Sequence, residues 1–343
     1  TRNFINDRKV NLKLIKLSWV LFLVCCFILY QYIAQVGVSN LALLVALDFF
    51  PSADVTRLRS DASNNFVNYV WYKLFMSHLL LFCTFIFFTL YLCRKTKTRR
   101  FLSYSAIMLS SFSLMMAGEK GQIMQLLIGL ALVFVIVRHG GYFSVRNFVV
   151  FGVIGFIVII PLYSFMMSTP TLSDAILQVL SRTMTGQLHP AYVYLEYIPE
   201  YRDFLLGTTF PNPGSIFPYE AVTISQELMA WDNPKEAASG IVGSMPAMFW
   251  VESYINFGVF SLPIIPFILG FILYVINYLV LKISIDPLVV SLYVWLILFY
   301  KDLAVSFFSD FLINIHLFSI IILFSIFYLI CHNGNLRLSR GET

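Results

Sequence analysis

Residues 79–100 read LLLFCTFIFFTLYLCRKTKTRR: a long uncharged run that stops dead at a basic cluster. Extended back to residue 68, the run is long enough to cross a bilayer as a helix, which takes about 20 apolar residues. The cluster that ends it marks the side of the membrane on which Lys and Arg collect. The rest of the chain repeats the pattern. Of 343 residues, 59% are hydrophobic and 12% charged, against about 25% charged in soluble domains. Runs of this length satisfy their backbone polar groups only as helices, so the sequence predicts an all-α polytopic membrane protein rather than a barrel.

Expected spans lie at about 17–37, 68–93, 101–117, 122–137, 148–166, 258–281, 287–302 and 313–331. With eight spans, most of the 23 Lys and Arg fall on one side, including Arg2, Lys13, the 94–100 cluster, Arg138, Arg146, Lys282 and Arg337. By the positive-inside rule that side is cytoplasmic and both termini lie there. All the acids except Asp7, Asp286 and Glu342 sort to the outer side or the outer halves of helices. The chain opens at Thr1 with no cleavable signal pattern, which leaves room for further spans upstream. Cys25, Cys26, Cys83, Cys93 and Cys331 all sit in or beside apolar runs and read as small fillers.

Three parts follow: helices 1–5 in residues 1–166, one large outer segment over 167–257, and helices 6–8 with a cytoplasmic tail over 258–343. The outer segment is too long for a connector, so function is expected there. It should begin with an amphipathic helix on the membrane surface, TPTLSDAILQVLSRTM, then a helix entered at His189-Pro190 and ended by Pro199, then the turn-rich GTTFPNPGSIFPYE. Residues 246–282 would span about 55 Å as one helix, too long for a hydrocarbon core of about 30 Å, so a break is expected near Gly258 or Pro263. Ser244 is the expected cap of the segment before it.

Candidate chemistry clusters on the outer side. GEKG at 118–121 sets Glu119 and Lys120 side by side in a hairpin at the hydrocarbon boundary, where a charge is costly unless paired or wet. Lys120, Arg57, Arg59, Arg182 and Arg202 form a set of outer cations suited to a diphosphate. Tyr192, Tyr194, Tyr197, Tyr201 and Tyr254 suit sugar, whose C–H faces pack on rings, and equally suit an interfacial belt. Glu252, beside Trp250 and Tyr254, is the leading general base, since burial raises a carboxyl toward a usable pKa; His189 is the weaker candidate. His316, inside a span, reads as a helix contact, and Asp302 as the partner of Lys301. No Asp-x-Asp pair, glycine-rich phosphate loop or Cys/His cluster occurs, so no metal or cofactor is expected.

GEKGQIMQLLIGL (118–130), SRTMTGQLHPAYVYLEYIPEYRDFLLG (181–207) and GSMPAMFWVESYINFGVFSLPIIPFILG (243–270) together resemble the Wzy-type O-antigen polymerases of bacterial inner membranes. The resemblance covers about half the chain. It implies a GT-C-like helical architecture and a metal-independent glycosyltransferase that polymerises undecaprenyl-diphosphate-linked repeat units on the periplasmic face. It further implies anion binding at Lys120 and a diphosphate contact at Arg182. The partners it implies are lipid-linked glycans and membrane lipid, with a chain-length regulator and a flippase, and no nucleic acid. The related O-antigen ligases carry a histidine where this chain has Pro246 and Ala247, which weighs against a ligase. A flippase for the same lipid-linked sugars is the rival from another class; it predicts inverted repeats and broken helices with charges at mid-membrane.

Overall fold

The computed structural model describes residues 12–37, 69–116, 120–167, 171–186, 188–238, 243–283 and 285–336. Among them every regular element is helical. In chain order these are α1 (Leu12–Val36), α2 (Tyr69–Cys93), α3 (Lys97–Met116), α4 (Lys120–His139) and α5 (Val145–Met167), then α6 (Leu172–Met184), α7 (Leu188–Tyr197), α8 (Ile224–Asp232), α9 (Pro234–Ala238) and α10 (Phe249–Phe257). The chain closes with α11 (Ser261–Lys282), α12 (Pro287–Lys301), the short α13 (Ser309–Leu312) and α14 (Ile315–Leu336).

Each of the eight segments expected to span is largely helical over its described residues, and among the described residues six stretches are long and apolar enough to cross a membrane: Leu12–Val36, Tyr69–Cys93, Gly121–His139, Ser261–Lys282, Pro287–Ala304 and Ser309–His332. The chain is an all-α, multi-pass membrane protein. The two remaining segments are α3 and α5. α3 opens with Lys97, Arg99 and Arg100, and α5 is apolar over Val145–Pro161 of its described side chains.

The chain folds as two compact units: one comprises Thr1–Ala175, Ile283–Leu298 and His316–Thr343, the other Ile176–Lys282 and Phe299–Ile315. In the first, α2 is the central helix. Its Phe82, Phe85 and Ile86 are fully buried, and it packs on α1, α3 and α4. Small polar side chains join these helices: Thr84 Oγ1 lies 2.7 Å from Ser110 Oγ, and the Cys83 thiol donates to the Ser18 carbonyl at 3.3 Å. Such bonds hold helices together where apolar side chains gain little by leaving lipid. Part of α2, Leu74–Leu79, is wound as a π-helix. There the Ser113 hydroxyl donates to the Met76 carbonyl at 3.1 Å, and the half-buried His316 ring stacks on His78 at 4.3 Å.

The second unit has its own core. Ala191, Val193, Tyr194 and Ile198 of the α7 region, Ile224 and Leu228 of α8, and Val251 and Ile255 of α10 are buried in one cluster. A helix end leaves carbonyls without intrahelical partners. At the end of α10 residues 205–207, which enter a turn, supply the donors: Leu205 N–H to Ile255 O at 2.9 Å, Leu206 N–H to Asn256 O at 3.1 Å, and Gly207 N–H to Asn256 Oδ1 at 2.8 Å. Gly207 has φ +92, a conformation glycine takes without strain. The expected break in 246–282 falls at Gly258, whose φ of +73 ends α10 and lets α11 start at Ser261. The helix before the break begins later than expected. Met248, extended, is its N-cap, with no side-chain bond, so Ser244 does not cap it.

Candidate functional site

Two residue pairs spaced four apart meet: Tyr197 at the end of α7 with Tyr201 in the turn beyond it, and Glu227 with Trp231 on α8. Residues i and i+4 share a helix face. Tyr201 follows Tyr197 at that spacing, with its N–H bonded to the Tyr197 carbonyl at 2.9 Å, and Trp231 follows Glu227 within α8. The three rings touch: Tyr197 stacks on Tyr201 with centroids 5.9 Å apart, and Trp231 meets Tyr197 at 5.3 Å and Tyr201 at 5.4 Å. The Tyr197 hydroxyl donates to Glu227 Oε1 at 2.8 Å, and Arg202 forms an ion pair with Oε2 of the same carboxylate. The bond to Glu227 pushes the Tyr197 phenol above its ordinary pKa. At the start of α7, the exposed His189 places Nε2 3.0 Å from Oδ2 of Asp232, the last residue of α8. Tyr201 remains 61% exposed and Trp231 37%. The arrangement is therefore an aromatic surface edged by hydrogen-bonding groups.

Glu252 stands elsewhere in the same unit and is 0% exposed. It accepts from the Thr209 hydroxyl at 2.8 Å and from the Ser309 N–H at 3.0 Å. Asn256 in turn donates to Thr209 Oγ1 at 2.9 Å, so a polar chain runs from Asn256 through Thr209 to Glu252. Burial lifts the Glu252 carboxyl to about 7 against the bonds from Ser309 and Thr209, with the nearby Asp310 adding to the rise. A carboxyl tuned there exchanges protons near neutrality. Because it is fully enclosed, Glu252 meets nothing outside the protein directly. Thr209, partly exposed, is its link outward.

The other expected site residues distribute as follows. Tyr194 is fully buried and donates its hydroxyl to the Met245 carbonyl at 2.9 Å, so it is a core residue with no surface for a ligand. Tyr192 is exposed, and Tyr254 is half-buried with its ring edge-on to Phe204. Lys120 is the first residue of α4 and Arg182 lies on α6; their side chains lie outside the described residues, as do Glu119, Arg57 and Arg59 altogether. Lys301 forms an ion pair with Asp302. Among the described residues no cluster of three or more His, Cys, Asp or Glu side chains could hold a metal ion.

No protein-family model, curated protein or solved structure matches the chain.

Glu227 and Trp231 were not singled out by the sequence reading. The signal was present in SQELMAWD (225–232), where the acid and the indole fall one turn apart. Nothing local, however, says that this helix lies against Tyr197 and Tyr201.

Proposed function

We propose that this protein is a membrane glycosyltransferase that polymerises undecaprenyl-diphosphate-linked oligosaccharide repeat units, an O-antigen or capsule polymerase of GT-C-like architecture at the periplasmic face of a bacterial inner membrane. The observation that carries this reading is the character of the long segment between the fifth and sixth helical spans. It is a folded unit with its own core, and its surface joins exposed aromatic rings to an Arg–Glu pair. A surface of that kind suits sugar.

In this reading Lys120 and Arg182 stabilise the diphosphate as it leaves, a role assigned by the resemblance of GEKG and SRTMTGQLHP to the polymerases. The acceptor hydroxyl gives its proton to Thr209 Oγ1 as the Thr209 proton passes to Glu252, and the acceptor oxygen takes the glycan from the diphosphate. His189, paired with Asp232, is the alternative proton acceptor.

The test is reconstitution into vesicles with the lipid-linked repeat unit, read as a ladder of longer glycans on a gel. Lys120→Ala and Arg182→Ala should each slow ladder formation by about 100-fold, the scale of losing one charge-stabilising group in a transition state. Protein that binds the lipid-linked unit and makes no longer glycan would sink the proposal.

Translocation of the same lipids takes support from one feature, the π-helical turn of α2 with His78 stacked on His316, since interrupted helices bearing ionisable groups mark transport paths. Transfer of a labelled lipid-linked sugar across the vesicle bilayer, without elongation, would favour it.

A further inference from the structure

We infer that Tyr201 and Trp231 form a platform for a neutral, pyranose-rich glycan, whose hydroxyls are read by Glu227 and Arg202. This rests on the polymerase reading only for the source of the glycan, a lipid-linked repeat unit or its growing chain. The binding itself is argued from the surface.

The rings are held before any ligand arrives. Tyr197 lies beneath Tyr201 at an interplanar angle of 17° and meets Trp231 at 63°, so both outer rings are braced by a third. A braced ring loses little freedom on binding. Two aromatic rings, 61% and 37% exposed beside a well-formed core, offer ring surface to an apolar ligand, and the C–H face of a pyranose, with its partial positive charge, matches the negative face of a ring.

The polar rim fits the same ligand. Glu227 spends one lone pair on Tyr197 and one on Arg202, and a carboxylate has about four. Arg202 has donors beyond the one facing Glu227. Both side chains stay about a third exposed, at 36% and 31%. Sugar hydroxyls can therefore donate to the carboxylate and accept from the guanidinium without breaking the pair.

Charge narrows the class. Glu196, Glu200 and Asp203 are exposed on the segment that carries Tyr201, while Arg202 is already paired. An acidic rim repels uronate-containing glycans and anionic lipid headgroups alike. A neutral glycan meets no such penalty. The acids also argue against these rings forming an interfacial belt, which would bring carboxylates to the lipid surface.

The experiment uses the full chain in nanodiscs and isothermal titration with neutral hexasaccharides: maltohexaose, cellohexaose, mannohexaose and chitohexaose, with an oligogalacturonate hexamer as the acidic control. At least one neutral hexamer should bind. Tyr201→Ala and Trp231→Ala should each weaken it by about tenfold or more, while Tyr201→Phe and Trp231→Phe, which keep a ring, should retain most of the affinity. The proposal is overturned if no neutral hexamer binds, if the alanine variants bind as the parent does, or if the acidic hexamer binds equally well. It is also overturned if a bimane label at Tyr201→Cys shows the emission of a probe buried in lipid. Titration needs no turnover, so sugar binding without glycan elongation removes the polymerase reading alone. Elongation at parental rate and length by Tyr201→Ala and Trp231→Ala removes the platform alone.

Discussion

Glu252 carries a proton that the unfolded chain gives up earlier. Its carboxyl titrates at about 7 in the fold, above its ordinary value of 4.5, because burial outweighs the bonds from Ser309 and Thr209. Between those two values the folded state binds more protons than the unfolded one, so stability falls as pH rises through that window. The contribution, present below about 4.5 and lost above about 7, is on the order of 3 kcal/mol. Melting of the purified protein in detergent should therefore drop between pH 5 and pH 8. Glu252→Gln should flatten that drop, because an amide oxygen still accepts from Ser309 and its NH2 can donate to Thr209. Glu252→Ala should flatten the drop as well and fall below Glu252→Gln in stability by about 1–3 kcal/mol across the range, because it leaves the Ser309 N–H buried without a partner. A parental melting profile in both variants would show that the carboxyl does not hold Thr209 and Ser309 in place. The sequence pointed to the residue and to the direction of its shift, since WVESY sets an acid among apolar neighbours. It could not show that the enclosure is complete, because Thr209 and Ser309 come from distant parts of the chain.

Helix packing sets the next constraint. A Cβ built on Gly129 of α4 would lie 2.2 Å from Cζ of Phe85 on α2 and 2.9 Å from Cδ1 of Leu298 on α12. Phe85 is fully buried and has nowhere to move. Gly129→Ala should destabilise by about 1–3 kcal/mol through overpacking, and Gly129→Leu by more. Gly270 of α11, with nothing within reach of an added Cβ, serves as the control: Gly270→Ala should melt as the parent does. Equal melting of Gly129→Ala and the parent would refute this close approach of the helices. At this scale much of the structure was legible. Each expected span is helical over its described residues because a bilayer enforces local hydrogen bonding, and length called for a break near Gly258 or Pro263, which the structure places at Gly258. Within TPTLSDAILQVLSRTM, Leu172–Met184 form α6, with Ile176, Leu177 and Leu180 exposed. α8 went unforeseen because its short apolar stripe, Ile224 and Leu228, gains meaning only against the α7 core.

Along the chain basic clusters, such as residues 94–100, alternate with an acid-bearing segment at about 167–257. If the basic clusters lie in the cytoplasm, reporter fusions should follow. A fluorescent protein at the C-terminus should glow, and alkaline phosphatase inserted after Gly214, in a loop of the second unit, should be active. The reverse pattern would invert the topology and place the aromatic surface on the cytoplasmic side, away from any periplasmic glycan. The membrane class was legible from composition alone, because lipid tolerates so few charges. The surface joining Tyr201 to Trp231 was not, because it arises from the packing of two short helices separated by a turn-rich stretch.

The splice of residues 205–207 onto the last turn of α10 has a mechanical side. Only three residues separate Tyr201 from Leu205, a tether of about 14 Å at full stretch. Whatever cargo rests on that ring is on a short leash to the start of α11, so a pull on it would be felt at that apolar helix rather than dissipated in slack chain.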